Sequence, residues 1–247
     1  MTRRLDTRVA IVTGASQGIG RAIAVAFGKE GAKVTTTART TSAIEEVCDE
    51  IEANGSESLA ITADVGEESA LHRIVDETLG RFGRIDILVN NAAIIHPKID
   101  LVDFDPQLWR QVIDVNLVGA ALLTKLVLPT MIENRYGKII NIASIGGRKG
   151  GQGRTAYRVT KAGLISLTES VAAEVKQHGI DVNAICPGGV DTEGYRDAFD
   201  TRGRPDNPRL MLPEEIAEVA VFLASGASSA ITGSAVDAFG GTNPLFG

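Results

Sequence analysis

Short apolar runs alternate with longer amphipathic stretches from one end of this sequence to the other. The runs that predict strands are "RVAIVTG", "KVTTTAR", "SLAITAD", "RIDILVNN", "GKIINIAS", "GIDVNAICPGG" and "GSAVDAF". The stretches between them that predict helices include "GRAIAVAFGKEG", "TSAIEEVCDEIEANG", "SALHRIVDETLGRFG" and "PEEIAEVAVFLASG". Such alternation is typical of βαβ units. The pattern therefore predicts an α/β fold, with a parallel sheet of about seven strands and helices on both faces.

One segment interrupts this regular alternation. Neither a Pro/Ser-rich linker nor an internal repeat divides the chain, so we predict a single domain over residues 1–247. Residues 193–210, "EGYRDAFDTRGRPDNPRL", are polar, contain two prolines and follow no period. A long irregular segment inside a compact domain is more often functional than accidental. We expect a substrate lid over about residues 188–212.

The predicted helices 106–135 and 155–179 have apolar faces wider than contact with one sheet requires. Two interpretations are open: the whole surface is core within one chain, or part of it joins copies of the chain into a tetramer or dimer. Four leucines on these faces are the candidates for contact with a second subunit: Leu122, Leu126, Leu164 and Leu167.

Composition narrows the possible partners. The formal charge of −6 argues against nucleic acid, because phosphate binding depends on clustered Lys and Arg. No apolar run approaches the ~18 residues of a membrane span, and the one before Gly14 is too short for a signal peptide. Cys48 and Cys186 fit neither a metal site nor a disulfide framework. We expect a cytoplasmic protein with no metal site.

A glycine-rich turn, "VTGASQGIG", joins the first predicted strand to the first helix. Gly14 can form the tight turn, Gly18 lets the backbone approach a diphosphate, and Gly20 lets the helix pack close to the strand. The helix N-terminus offers N–H groups and a positive dipole end to phosphates. The spacing G-x-x-x-G-x-G differs from the commoner G-x-G-x-x-G, and a purely structural turn is the alternative.

A tyrosine and a lysine stand four residues apart in "TAYRVTKAG", so Tyr157 and Lys161 share one helix face. An ammonium about 4 Å from the phenol contributes about 4 kcal/mol at an effective dielectric near 20. Bringing a phenol pKa from about 10 to neutrality needs about the same energy. The pair therefore predicts a tyrosine able to exchange a proton near pH 7. Ser144 ends the run "KIINIAS", at the sheet edge where ligands bind, and its hydroxyl can hold a substrate oxygen.

The motifs "TGASQGIG", "NNAA" and "YRVTK", together with Asn116 and Ser144, occur in the order and spacing of the short-chain dehydrogenase/reductase family. The resemblance covers the chain from Val9 to about Gly241. "IDILVNN" and "PEEIAEVAVFLAS" resemble the oxoacyl-carrier-protein-reductase-like branch. The resemblance implies a doubly wound, Rossmann-type domain and an NAD(P)-dependent oxidoreductase that acts on CH–OH or C=O groups.

The same resemblance implies a catalytic set, in which Asn116 anchors a water that connects the lysine to solvent: Asn116, Ser144, Tyr157 and Lys161. It implies that Asp64 and Val65 lie at the adenine edge and that Thr192 bonds the nicotinamide carboxamide. Ala93 departs from the family's usual glycine. The full set of implied cofactor contacts is Gly14, Ser16, Gln17, Gly18, Ile19, Gly20, Arg39, Thr40, Asp64, Val65, Asn91, Ala92, Tyr157, Lys161, Pro187, Gly188, Val190 and Thr192.

The end of the second strand bears on the choice of dinucleotide. An acidic residue there would bind the ribose hydroxyls and repel a 2′-phosphate, and this chain has Ala38 instead. Arg39 follows, and its guanidinium can pair with the phosphate and stack on adenine. Gln17 replaces a basic residue that often assists in the glycine loop. We predict NADP(H), with a solvated Arg39 and NAD(H) as the alternative.

The substrate is less well defined. Arg148, Lys149 and Arg154 suggest either an anionic substrate or a solvated loop or subunit contact. His96 could line the pocket or be an ordinary loop residue. Phe239 stands where the acyl-carrier branch has Asp or Asn, and the lid is shorter than in that branch. Both differences favour a small ketone, a keto acid or a sugar-like substrate.

The sequence thus predicts reversible hydride transfer between NADP(H) and a small ketone or secondary alcohol, with Tyr157 as general acid and base. One alternative is an NAD-dependent dehydrogenase of a polyol or hydroxy compound. A second is an epimerase or dehydratase, although such enzymes usually have a longer C-terminal region. The third is a non-catalytic dinucleotide-binding sensor, against which the intact catalytic set argues.

Overall fold

Seven parallel strands form one sheet in the order β3-β2-β1-β4-β5-β6-β7. In this computed structural model the described residues are 3–199 and 210–240. The sheet confirms the predicted α/β fold, and its order reverses between β1 and β4, where open sheets of this kind bind ligands. The strands are β1 (Val9–Thr13), β2 (Lys33–Ala38), β3 (Ser58–Thr62), β4 (Ile87–Asn90), β5 (Gly137–Ile142), β6 (Ile180–Pro187) and β7 (Ala235–Ala238).

Helices cover both faces of this sheet. The described helices are α1 (Gly18–Lys29), α2 (Thr41–Ala53), α3 (Glu68–Phe82), α4 (Pro106–Ile113), α5 (Gly119–Glu133), α6 (Thr155–Val175), α7 (Glu193–Phe199) and α8 (Pro213–Ala224). A π-helical turn, Asp114–Val118, joins α4 to α5. Helices α1, α2 and α8 pack on one face, and α3, α5 and α6 on the other.

Alternation along the central strands divides the core into two parts. Ala10 and Val12 of β1 contact the α1 side, whereas Ile11 between them contacts the α3 side. In β4, Ile87 likewise contacts the α1 side and Leu88 contacts the α3 side. Successive side chains of a strand point to opposite faces, so each strand contributes to both cores. Burial of each large apolar side chain contributes about 1.5–3 kcal/mol and fixes the strand ends that carry the polar residues.

A buried polar network ties the central strands to the helices above them. Asn90, at the end of β4, donates to Asn141 Oδ1 at 2.8 Å and to Thr124 Oγ1 at 3.1 Å. Asn141 in turn donates to Thr168 Oγ1 of α6 at 2.9 Å. Buried amides satisfied in this way fix a single arrangement of strands and helices. The network therefore holds α5 and α6 in register with the carboxyl edge of the sheet.

The run Pro106–Glu133 is the single helical run among residues 3–199 and 210–240 that is long and apolar enough to cross a membrane. Its side chains Leu123, Val127 and Met131 are buried in the core against the sheet. One face of the run therefore packs on the sheet of its own chain.

The four candidate leucines differ in their positions. Leu164 lies in the core of its own chain, so its predicted contact with a second subunit is wrong. Leu122, Leu126 and Leu167 pack only partly against the core.

The lid region differs from its predicted irregular course. Residues 193–199 form helix α7, and residues 200–209 lie outside the described part of the chain. Thr192 Oγ1 accepts the Tyr195 backbone N–H at 3.1 Å and so caps the helix. Arg196 and Asp191 form an ion pair at 2.8 Å on the same turn. These local bonds stabilise a short helix that apolar periodicity does not reveal.

Candidate active site

Ser144 and Tyr157 meet at the carboxyl edge of the sheet. Ser144 follows the end of β5, and its Oγ accepts the Gly146 N–H at 2.9 Å. Tyr157 lies in the first turn of α6, and its phenol interacts with the Ser144 side chain. A Cβ placed on Gly146 would lie 3.3 Å from Ser144 Oγ and 3.5 Å from Tyr157 Cε1. Gly146 thus leaves the space in which the two hydroxyl-bearing side chains approach each other.

Lys161 lies beside Tyr157, as the spacing predicts. Its Nζ is 5.6 Å from the centre of the Tyr157 ring and donates to the Ile142 carbonyl at 2.6 Å. The lysine is only 2% exposed. Burial lowers its pKa from 10.5 to about 8, because the charged form loses its hydration. A lysine with this pKa exchanges a proton closer to neutrality than an exposed lysine does.

The expected lowering of the Tyr157 pKa by Lys161 is not found. Burial raises the pKa of Tyr157, and this effect outweighs the lowering by Ser144, Arg154 and Arg158. The lysine ammonium is held at the Ile142 carbonyl rather than at the phenol oxygen. In this state the phenol is protonated at neutral pH, which suits a proton donor.

Asn116 lies in the π-helical turn, and its side chain fastens two other segments. Its Oδ1 accepts the Ile94 N–H at 2.7 Å, and its Nδ2 donates to the Ile94 carbonyl at 3.1 Å. Nδ2 also lies 3.3 Å from Thr160 Oγ1, which donates to the Tyr157 carbonyl at 2.7 Å. π-turns of this kind recur at functional sites because they re-aim one residue of a helix. The predicted catalytic set is therefore brought together around the start of α6.

The glycine loop has the geometry of a phosphate cradle. Gly14 and Gly18 adopt positive φ angles of 63° and 53°, which side chains of other residues disfavour. A Cβ on Gly14 would lie 2.8 Å from Ala92 Cα, and one on Gly20 would overlap the Gly14 carbonyl oxygen. Helix α1 begins at Gly18, and the Gln17 side chain does not cap it. The first N–H groups of α1 thus fit the diphosphate of a dinucleotide.

Thr13, absent from the predicted set, supports this loop from below. Its Oγ1 accepts the N–H groups of Asn91 and Ala92 at 3.0 and 3.1 Å. Asn91 then donates to the Thr13 and Gly14 carbonyls at 2.9 and 3.0 Å. The Asn91 side chain is therefore used to hold the glycine loop. A hydroxyl at the last position of the first strand, just before the glycine, is the sequence signal for this role.

The adenine end of the predicted site lies beyond β2 and β3. Arg39 and Thr40 are exposed after β2, and Arg39 forms no ion pair with any residue in the described parts of the chain. Asp64 Oδ1 accepts the Gly66 N–H at 2.9 Å, which shapes the turn after β3. Val65 is buried. The guanidinium is thus available to an anion, as a 2′-phosphate requires.

The segment after β6 reaches back to the glycine loop. Gly188 N–H donates to the Ala238 carbonyl at 2.9 Å, directly after Pro187, the last residue of β6. Val190 pairs with Met211 in an isolated bridge, which joins the two ends of the lid region. A Cβ on Gly18 would lie 3.0 Å from Thr192 Cγ2. The predicted nicotinamide and phosphate ends are therefore adjacent. Ser16 lies in the glycine loop, and Ile19 is the second residue of α1.

The basic residues of the loop after β5 are not brought together. Arg148 pairs with Asp237 of β7 at 3.0 Å and also donates to the Ala235 carbonyl. Lys149 is exposed, whereas Arg154 is 6% exposed and donates to the Ala198 carbonyl of α7. The hypothesis of an anion-binding cluster is therefore wrong for Arg148, which binds the edge strand.

His96 and Phe239 are both buried. His96 is thus not an ordinary exposed loop residue.

Known proteins resemble this chain both in sequence and in structure. The family described as short chain dehydrogenase matches residues 8–203. A 3-oxoacyl-[acyl-carrier-protein] reductase of Synechocystis is 38% identical, with 96% of this chain and 97% of the relative covered. The corresponding FabG of Escherichia coli is 36% identical, with coverage of 96% and 97%. Among solved structures, levodione reductase has a TM-score of 0.90 at 32% identity, with 95% and 96% covered.

Proposed function

We propose that this chain, which belongs to the short-chain dehydrogenase/reductase family, uses NADP(H) to interconvert a small ketone and a secondary alcohol. Its relatives include reductases of 3-oxoacyl groups, which supports an oxidoreductase acting on C=O and CH–OH groups. The observation that carries the proposal is the meeting of Ser144, Tyr157 and Lys161 at the carboxyl edge of the sheet.

In carbonyl reduction, the chain's own side chains manage the substrate oxygen and its proton. The Ser144 hydroxyl holds the carbonyl oxygen, and the Tyr157 hydroxyl donates its proton to that oxygen as the C–H bond forms. The bound dinucleotide supplies the hydride to the carbonyl carbon. Oxidation is the reverse, with the Tyr157 oxygen accepting the proton.

We propose that the Lys161 ammonium turns from the Ile142 carbonyl toward the phenol oxygen once the proton has left, and that it stabilises the phenolate there. This ammonium lies on the same helix face, and a buried positive charge favours the ionised form of a neighbouring phenol. Asn116 completes the path by which the proton is replaced. Because its amide nitrogen is engaged with Ile94 and Thr160, we place the relay water at the main-chain carbonyl of Asn116.

Two features support NADP(H). Ala38 presents no carboxylate to repel a 2′-phosphate, and the exposed Arg39 is positioned after β2 to bind one. Asp64 and Val65 would border the adenine. The alternative is an NAD-dependent dehydrogenase of a polyol or hydroxy compound, with Arg39 left in solvent. A sensor without activity is less well supported, because dinucleotide binding alone does not require the Ser144 hydroxyl to meet the Tyr157 phenol within an intact catalytic set.

The lid supports a small substrate. Phe239 is buried against Gly188, where a Cβ would lie 3.2 Å from Phe239 Cα. A ketone, keto acid or sugar-like molecule fits such a site better than an acyl chain on a carrier protein. We place the lid at about residues 188–212 of a single domain.

The assembly is proposed to be a homo-oligomer, a tetramer or a dimer, formed through α4, α5 and α6. Val118, at the end of the π-helical turn, and Val159, on α6, are 40% and 46% exposed, and apolar side chains of this kind favour a subunit contact. The compartment is proposed to be the cytoplasm, because Cys48 and Cys186 are both free.

The direct test is oxidation of NADPH by the purified chain across a panel of small ketones, keto acids and sugars. We expect turnover of at least one member, with a secondary alcohol as the product. No turnover across the panel, together with no binding of either dinucleotide, would contradict the proposal.

A further inference from the structure

His96 is fixed between two neighbours that determine which nitrogen carries its proton. Its Nδ1 lies 2.6 Å from the Pro97 carbonyl, and its Nε2 lies 3.3 Å from the backbone N–H of Tyr157. A carbonyl can only accept and a backbone amide can only donate, so Nδ1 bears the hydrogen and Nε2 is the acceptor. The ring is 1% exposed and meets Phe104 edge-to-face at 4.8 Å.

The Tyr157 backbone N–H, which donates to His96, needs a hydrogen-bond acceptor from outside helix α6. Tyr157 is the third residue of α6, and the first N–H groups of a helix have no partner within it. The cap residue Arg154 forms no side-chain cap bond at this helix end. His96 therefore caps α6 from a distant segment, at the residue whose phenol meets Ser144.

The segment that carries His96 is itself anchored at several points. Asn116 bonds both main-chain groups of Ile94, two residues before the histidine. Ile99 N–H donates to the Gly153 carbonyl at 2.9 Å, and Gln152 donates to Asp100 at 3.2 Å. These bonds run along the start of α6, so the position of the imidazole and that of the helix are coupled.

We propose that His96 is a positioning residue, whose neutral imidazole holds the Tyr157 backbone where the phenol can serve the substrate oxygen. The inference rests on the proposed function. Protonation would turn the acceptor into a donor facing the Tyr157 N–H, and it would place a cation at the positive end of the helix. Protonation of His96 therefore reduces turnover in acid.

The surroundings favour the neutral ring. Burial lowers the pKa of His96, the Pro97 carbonyl opposes this, and the Arg154 guanidinium lowers it further. Phe104 and Asn116, on the elements packed beside the ring, are uncharged. Other charged side chains on the elements packed here are Arg158, which follows Tyr157 on α6, and Lys98 and Asp100 in the segment of the histidine. Helix α7 packs against Ile95 through Gly194 and carries Glu193, Arg196 and Asp197.

The test compares His96→Gln, whose amide oxygen can still accept but does not titrate, with His96→Leu, which cannot accept. His72→Gln, an exposed histidine on α3, is the control. We expect kcat to fall about tenfold in His96→Leu, the scale of one lost hydrogen bond, with KM little changed. The acid decline of kcat should persist in the wild type and His72→Gln and disappear in His96→Gln. An unchanged acid decline in His96→Gln would overturn the proposal.

A second readout does not depend on activity. Hydrogen exchange of the Tyr157 amide should be about tenfold faster in His96→Leu than in the wild type or His96→Gln, whereas the Gly163 amide of the same helix should not change. Equal exchange at Tyr157 in all three proteins would also overturn it. If no ketone is reduced by the wild type, the proposed function fails, and this measurement alone decides whether His96 holds Tyr157. Should His96→Leu not fold, the comparison of His96→Gln with the wild type decides.

Discussion

The ammonium of Lys161 lies 5.6 Å from the centre of the Tyr157 ring, but its hydrogen bond goes to a main-chain carbonyl and not to the phenol. The consequence is a division of roles. Burial keeps the phenol protonated, whereas the same burial brings the lysine pKa down to about 8. A protonated phenol is the correct starting state for reduction, and the lysine becomes important once the proton has left.

The buried lysine predicts a stability gain on its removal. The fall in pKa from 10.5 to about 8 corresponds to about 3 kcal/mol at pH 7, less about 1 kcal/mol for leaving the Ile142 carbonyl without its donor. The free energy of unfolding of Lys161→Met should therefore be about 2 kcal/mol higher than that of the wild type, and its activity should be lost. The variant should unfold at a higher denaturant concentration. Lys149→Met, at an exposed site, is the control and should change stability by less than about 0.5 kcal/mol.

The sign of the pH dependence follows from the same pKa values. Between about pH 8 and 10.5 the unfolded chain keeps a proton on Lys161 that the folded chain has lost. Stability of the wild type relative to Lys161→Met therefore rises with pH across this interval. Denaturation curves at pH 7 and pH 10 measure it. If the difference in unfolding free energy between Lys161→Met and the wild type did not decrease from pH 7 to pH 10, the burial of a charged lysine would be contradicted.

Gly20 offers a test of the phosphate cradle. A Cβ there overlaps the Gly14 carbonyl oxygen, so Gly20→Ala must separate α1 from β1. We expect a loss of about 1–3 kcal/mol in stability and weaker dinucleotide binding. Gly80→Ala is the matched control, because nothing lies within 4 Å of its Cβ and the helix gains about 0.5–1 kcal/mol. Titration calorimetry measures the dinucleotide affinity, and denaturation measures the stability. If Gly20→Ala and Gly80→Ala had the same affinity and the same stability, close packing of α1 on β1 would not be needed for dinucleotide binding.

Arg39 predicts the choice of dinucleotide. At 100 times the dissociation constant, bound ligand adds about 2.7 kcal/mol, or about 5–10 °C in Tm for a chain of this size. NADPH should raise Tm more than NADH at equal concentration, and Arg39→Ala should remove the difference. Arg3→Ala, an exposed arginine outside the site, should leave it unchanged. If NADH raised the Tm of the wild type more than NADPH does, Arg39 would not bind the 2′-phosphate and would lie in solvent.

Local patterns were sufficient to predict the sheet, the glycine turn and the neighbouring positions of Tyr157 and Lys161. Each depends on spacing within one element, which the sequence displays directly. The Tyr157 pKa could not be predicted, because it depends on how much of the phenol the assembled fold removes from water. The cap that His96 provides joins residues 61 positions apart, and no local pattern announces it.

Other differences have the same origin. The ion pair between Arg148 and Asp237 joins positions 89 residues apart and converts a suspected substrate contact into a structural one. Leu164 is core because α6 packs against β6, which periodicity alone cannot distinguish from a subunit contact. The Asn116 side chain in the π-turn bonds Ile94, 22 positions away, and no local pattern indicates this contact.

The most direct test of the proposed chemistry is Tyr157→Phe, which removes one oxygen atom and keeps the ring. We expect kcat for ketone reduction with NADPH to fall by about 10²–10⁴-fold, the usual contribution of a general acid, while the dissociation constant for NADPH changes little. Tyr136→Phe, outside the site, should retain wild-type turnover. Wild-type turnover in Tyr157→Phe would contradict the assignment of the proton to this phenol.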